Sequence, residues 1–216
     1  MIDTVIFDMD GTVLDTLTDL MNSVNYVLGL HNYATHTLDE IRSYVGNGVA
    51  VLMEKAVPGG LDNPEFDSLL AEFRAYYAIH CNDETRAYTG IIELMEELKR
   101  NGYKMAIVSN KPDPAVKDLN KLYFDGLITV SIGDSPDMNR KPAPDLVYKA
   151  LRELGSTPET AVYIGDSEVD YATALNSSLP CISVLWGFRD EEYLRSIGAD
   201  CFARIPSEIS DIIKTL

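Results

Sequence analysis

The chain has 216 residues, 46% of them hydrophobic and 24% charged, which fits one large domain or a core with a modest insertion and excludes disordered, collagenous and disulfide-scaffold proteins. Eighteen Lys and Arg against 34 Asp and Glu give a net charge of −16, so nucleic acid and anionic membrane are poor partners. Cys81, Cys181 and Cys201 lack disulfide or zinc spacing, no apolar run approaches membrane-span length, and Met1-Ile2-Asp3-Thr4 carries no basic leader; a cytoplasmic location is expected.

In chain order, Thr4–Phe7 reads as a strand, short, β-branched and bounded by turn formers. Residues 15–86 then show only helical periodicity. Leu17, Leu20, Met21, Val24, Val27 and Leu28 make one stripe; Phe66, Leu69, Leu70, Phe73 and Tyr77 make another. Ile91–Arg100 follows as a helix, its apolar positions at helical spacing and Asn101-Gly102 as its stop. Strands are expected at Lys104–Val108 and Leu127–Ile132, a helix from Pro144 to before Gly155, and strands at Ala161–Ile164 and Cys181–Leu185. A helix over Ser207–Leu216 closes the chain. Such alternation predicts an α/β fold, a parallel sheet covered by helices on both faces. The helical stretch 15–86 looks like an inserted cap, leaving 1–14 and 87–216 as the core.

The first strand delivers Asp8-Met9-Asp10-Gly11-Thr12 at its C-terminal end, where ligands bind in open α/β sheets. Two carboxylates spaced i, i+2 beside a glycine suit a metal, but Asp and Gly are also common in turns, so this segment alone reads either way. The strand at Ala161–Ile164 runs into Gly165-Asp166-Ser167-Glu168-Val169-Asp170, with Asp166 and Asp170 four apart; taken singly, Asp170 reads equally as a helix cap. Four carboxylates gathered at one sheet edge would repel without a cation, and hard oxygen donors suit Mg²⁺. Ser109-Asn110 ends a further strand and can donate to phosphate oxygens, or be an ordinary loop. Lys141, in Arg140-Lys141-Pro142, stands before a proline-marked helix start that favours anions, or is a solvated lysine.

Together, strand–DMDGT, strand–SN, RKP and strand–GDSEVD, in that order, resemble the haloacid dehalogenase-like hydrolase superfamily over the full chain. The helical insertion directly after DMDGT is similar to the cap of its phosphoglycolate phosphatase and β-phosphoglucomutase branch. The resemblance implies a doubly wound, Rossmann-like core and a Mg²⁺-dependent phosphatase. It makes Asp8 the nucleophile that takes the phosphoryl group. Asp10 becomes the general acid and then base, while Ser109 and Lys141 hold phosphoryl oxygens. The Mg²⁺ shell would comprise Asp8, the Asp10 carbonyl and Asp166, with Asp170 in support. Asp10 is also absent from the dehalogenase branch, which favours phosphoryl transfer.

Within the cap, Arg42-Ser43-Tyr44-Val45-Gly46-Asn47-Gly48 resembles the loop of the phosphoglycolate phosphatase group. Gly46, Asn47 and Gly48 allow close backbone approach, and Arg42 has the fork that matches a substrate carboxylate; an inter-helix turn with a solvated Arg is the plain alternative. Lys55 is a second basic candidate, and Asn110 joins the substrate-binding set. Trp186-Gly187-Phe188-Arg189-Asp190 and Gly198-Ala199-Asp200 also resemble that group. His31, His36 and His80 lack ligand spacing, and Tyr76-Tyr77 reads as packing. The expected substrate is a small phosphate ester, 2-phosphoglycolate first, with a pyrophosphatase or a β-phosphoglucomutase-like transferase behind it and a non-catalytic binding module last. A monomer or homodimer is expected.

Overall fold

The computed structural model describes residues 1–216 and divides into two compact units, Met1–Leu14 with Ala87–Leu216, and Asp15–Arg86. In chain order the elements begin with β1 (Thr4–Phe7) and a two-residue β2 (Leu14–Asp15). The helical unit follows: α1 (Leu17–Leu30), α2 (Leu38–Tyr44), α3 (Val49–Ala56), a single 3-10 turn at Gly60–Asp62, and α4 (Phe66–His80). The chain then runs through β3 (Arg86–Ala87), α5 (Ile91–Arg100), β4 (Lys104–Pro112), α6 (Asp113–Phe124) and β5 (Val130–Asp134). It finishes with α7 (Asp145–Leu154), β6 (Ala161–Gly165), α8 (Glu168–Asn176), β7 (Cys181–Val184), α9 (Glu191–Ser196), β8 (Phe202–Ala203) and α10 (Glu208–Ile213).

Six strands form one parallel sheet in the order β5-β4-β1-β6-β7-β8. Without the two short linker strands this is the doubly wound Rossmann order, and the direction of winding reverses between β1 and β6. β1 is buried on both faces, as a central parallel strand must be. Val5 and Phe7 pack with Ile91, Leu94, Met95 and Leu98 of α5 and with α6 and α10; Ile6 and Tyr163 pack on the opposite face with Leu146, Val147, Ala150 and Leu151 of α7 and with α8. The sheet is therefore sandwiched, and its strand ends deliver their loops to one edge.

In the helical unit, the α4 stripe Phe66, Leu69, Leu70, Phe73 and Tyr77 is buried throughout, and so is the α1 stripe apart from the half-buried Met21. Asp19 of α1 is buried; its carboxylate accepts the Glu84 N–H at 2.9 Å, the Thr85 N–H at 2.8 Å and the Thr85 hydroxyl at 2.7 Å. That carboxylate anchors the segment leading into β3. No helix is long and apolar enough to cross a membrane.

Several boundaries correct the sequence reading. The strand expected at Leu127–Ile132 lies at Val130–Asp134, because the Phe124 carbonyl accepts the N–H groups of both Leu127 and Ile128 and keeps them in a turn. β4 continues four residues past Val108 to Pro112, since β5 still pairs with it at Pro112. β7 stops at Val184, and α10 spans Glu208–Ile213, its neighbours turning back through the Thr215 N–H to Ile212 bond. Pro144 caps α7 and does not lie within it.

Candidate active site

Asp8 and Asp166 leave the sheet on the two sides of the β1/β6 reversal. Phe7 pairs with Ile164, and the Asp8 N–H donates to the Ile164 carbonyl at 2.8 Å, so the two strand ends rise together. The turn after Asp8 brings Gly11 against Asp166 at a φ of +89°, and a Cβ there would meet Asp166 Oδ2 at 2.5 Å; only glycine fits both the backbone and the space. Asp166 is fully buried and held at both oxygens: the Thr12 hydroxyl donates to Oδ1 at 3.1 Å and the Phe188 N–H to Oδ2 at 2.7 Å. Trp186 Nε1 donates to the Thr12 carbonyl at 2.9 Å and ties the 186–190 loop to the same turn. Arg189 of that loop grips Glu168 with both Nε, at 2.7 Å, and Nη2, at 2.9 Å.

Lys141 enters from the loop before α7 with its side chain 3% exposed. Its Nζ donates to Asp8 Oδ1 at 2.6 Å, to Asp170 Oδ1 at 2.8 Å and to the Tyr163 hydroxyl at 3.0 Å. Asp170 is the third helical residue of α8 and completes a capping box, accepting the Ser167 hydroxyl at 2.6 Å and the Ser167 N–H at 3.1 Å. Cap and charge partner are thus the same residue.

Burial, then the Asp170 charge, pushes the Asp8 carboxyl well above the usual range in spite of Lys141. Burial and Asp170 likewise raise Asp166 to about 7, against the Phe188 N–H and the Thr12 hydroxyl. Burial alone would lower the Lys141 ammonium, but Asp170 and Asp8 outweigh it and hold it well above the ordinary lysine value. Carboxylate oxygens of Asp8, Asp166 and Asp170 lie within 4.8 Å of one another, all buried. One ammonium against three carboxylates leaves two negative charges to balance, and the donors are all hard oxygens; this set fits a divalent cation such as Mg²⁺.

Asp10 stands apart from that cluster, its Oδ1 accepting from Lys111 Nζ at 3.1 Å. Ser109 is buried, and its hydroxyl accepts the Lys111 N–H at 3.1 Å. Asn110 Nδ2 donates to the Lys141 carbonyl at 3.0 Å and so holds the lysine loop, while its Oδ1 is buried without a hydrogen-bond partner. Arg42 lies in the last turn of α2 with Nη1 on Asp39 at 3.0 Å, and Gly46, Asn47 and Gly48 form the turn between α2 and α3, with Gly48 the cap residue of α3. Lys55 is exposed on α3. Tyr163, Lys111 and Thr12 are site residues that motif reading passed over. For Tyr163 the signal available was chemical, since a tyrosine in a fully buried strand demands a polar partner; nothing along the chain marks Lys111, because a lysine is ordinarily solvated.

A Rossmann-ordered sheet with an aspartate pair flanking its reversal point is the architecture of a hydrolase family. Residues 5–184 match the haloacid dehalogenase-like hydrolase family, and the chain belongs to it. The phosphoglycolate phosphatase of Rhodobacter capsulatus is 35% identical over 189 residues, 86% of this chain and 85% of that protein. The phosphoglycolate phosphatase of Colwellia psychrerythraea is 32% identical over 206 residues, 92% of this chain and 91% of that protein. The crystal structure of a candidate phosphoglycolate phosphatase from Lactobacillus delbrueckii subsp. bulgaricus matches with a TM-score of 0.93 at 34% identity over 98% of both chains. The chain is an enzyme of the phosphoglycolate phosphatase-like branch.

Proposed function

We propose that this enzyme is a Mg²⁺-dependent phosphatase that hydrolyses a small phosphomonoester, 2-phosphoglycolate, through an aspartyl-phosphate on Asp8. The observation that carries the reading is the buried Asp8 carboxylate at the β1 terminus, 2.6 Å from Lys141 Nζ and grouped with Asp166. Asp8, Asp166 and the Asp10 carbonyl would hold Mg²⁺, which supplies positive charge where a phosphoryl group bears negative charge.

The chain's own residues divide the remaining work. Asp8 attacks phosphorus with a carboxylate oxygen while Lys141 and Ser109 hold the phosphoryl oxygens against a −16 background. Asp10 gives its proton to the departing alkoxide oxygen, then takes one from the water that opens the acyl phosphate, restoring both carboxyl groups; such general acid–base help contributes about 10²–10⁴-fold. Asp170 and Tyr163 keep the Lys141 ammonium charged and aimed. The helical unit, Asp15–Arg86, serves as the cap that selects the leaving group, with Arg42 as the carboxylate ligand.

Phosphate release from 2-phosphoglycolate, pyrophosphate, β-glucose 1-phosphate and nucleotide monophosphates, with and without Mg²⁺, tests this. The expected result is Mg²⁺-dependent release that favours 2-phosphoglycolate. A flat profile would discard the substrate, and no release from any ester by folded protein would discard the phosphatase. Arg42→Ala should raise KM for 2-phosphoglycolate more than for an uncharged ester; equal effects would remove Arg42 from recognition.

A further inference from the structure

Lys111 lies in the extension of β4 with its side chain 2% exposed. A lysine that deeply buried needs an acid beside it. Its Nζ donates to Asp10 Oδ1 at 3.1 Å, while its backbone N–H donates to Ser109 Oγ, also at 3.1 Å. One residue thus joins the group proposed to move the leaving-group proton to the group proposed to hold phosphoryl oxygens.

The backbone that presents Lys111 is itself tightly specified. The β4/β5 register is irregular between Val108 and Pro112, the stretch that contains Ser109, Asn110 and Lys111. A Cβ on Gly133 of β5 would stand 2.6 Å from the Lys111 carbonyl oxygen, so the strands approach closely only because that position is glycine. The Gly133 N–H donates to Asp113 Oδ1 at 2.9 Å and locks the end of the extension. Asp10, by contrast, is 22% exposed at its side chain and would sample several rotamers without an anchor.

Resting on the phosphatase reading, we infer that Lys111 is a positioning residue for Asp10: by binding one carboxyl oxygen it aims the other at the leaving-group oxygen. Proton donation matters most when the leaving group is a poor one. A p-nitrophenolate departs without a proton, whereas the alkoxide of 2-phosphoglycolate does not.

The test compares wild type, Lys111→Met and Lys111→Arg on 2-phosphoglycolate and on p-nitrophenyl phosphate, with Mg²⁺ present. Lys111→Met should lose at least about tenfold more kcat on 2-phosphoglycolate than on p-nitrophenyl phosphate, a fraction of the general-acid contribution, with little change in either KM. Lys111→Arg should recover part of the 2-phosphoglycolate rate. In an Asp10→Asn background, Lys111→Met should cause no further loss. Should Lys111→Met not fold, Lys111→Gln replaces it, with the same ordering of losses expected. Equal losses on both esters, or additive losses with Asp10→Asn, would overturn the inference while leaving the phosphatase intact. A wild type inert toward both esters would overturn the phosphatase reading and the inference with it.

Discussion

At the scale of single residues, the site is decided by which charges are buried together. Asp8 has Lys141 at 2.6 Å and is still pushed upward by burial and Asp170, so its carboxylate is poised for a further cation. Asp8→Asn keeps the shape and removes the nucleophile; phosphate release should fall at least about 10³-fold with an unchanged circular dichroism spectrum, and wild-type-like turnover would remove Asp8 from the mechanism. Lys141→Met leaves Asp8 and Asp170 buried without their ammonium, which should cost about 3–5 kcal/mol in urea unfolding of the metal-free protein at pH 8. A loss under 1 kcal/mol would mean that the cluster does not depend on this lysine. Asp170 does two things at once: its Oδ2 accepts from Ser167 in the capping box of α8, while its Oδ1 accepts from Lys141.

At the scale of elements, helices with a clean apolar stripe were legible: α5 spans the residues that its periodicity predicts, and the α4 stripe is buried as expected. Strand ends were less so. Nothing in Ser109-Asn110-Lys111-Pro112 separates strand from loop by pattern, and what keeps β4 extended there is the neighbouring β5 with its glycine. The shift of β5 has the same origin, a local turn at Phe124 competing with sheet pairing for the same N–H groups. The segment before β3 depends on one buried carboxylate. Asp19→Ala would leave the Glu84 and Thr85 N–H groups and the Thr85 hydroxyl without that acceptor. Its expected cost is about 2–3 kcal/mol in denaturant unfolding, with faster proteolytic cleavage near residues 83–86; unchanged stability would show that the anchor is dispensable.

At the scale of the whole molecule, Mg²⁺ uptake and stability should be linked, because the carboxylates that would bind the ion are buried and assembled only in the folded chain. At a Mg²⁺ concentration of about 100 Kd the folded state should gain about 2.7 kcal/mol, read as a rise in Tm that chelation reverses and that Asp166→Asn abolishes. A Tm indifferent to Mg²⁺ in the wild type would overturn the metal assignment. The sequence by itself determined the alternation of elements, the strand-terminal positions of Asp8 and Asp166 and the family, since short-range patterns and motif order are written along the chain. Only the tertiary structure decided that Tyr163 and Asp170 share Lys141, that Asn110 faces the Lys141 loop and that Lys111 reaches Asp10. Those contacts join residues as much as 101 positions apart, and they are specified by sheet order and burial, which no local pattern encodes.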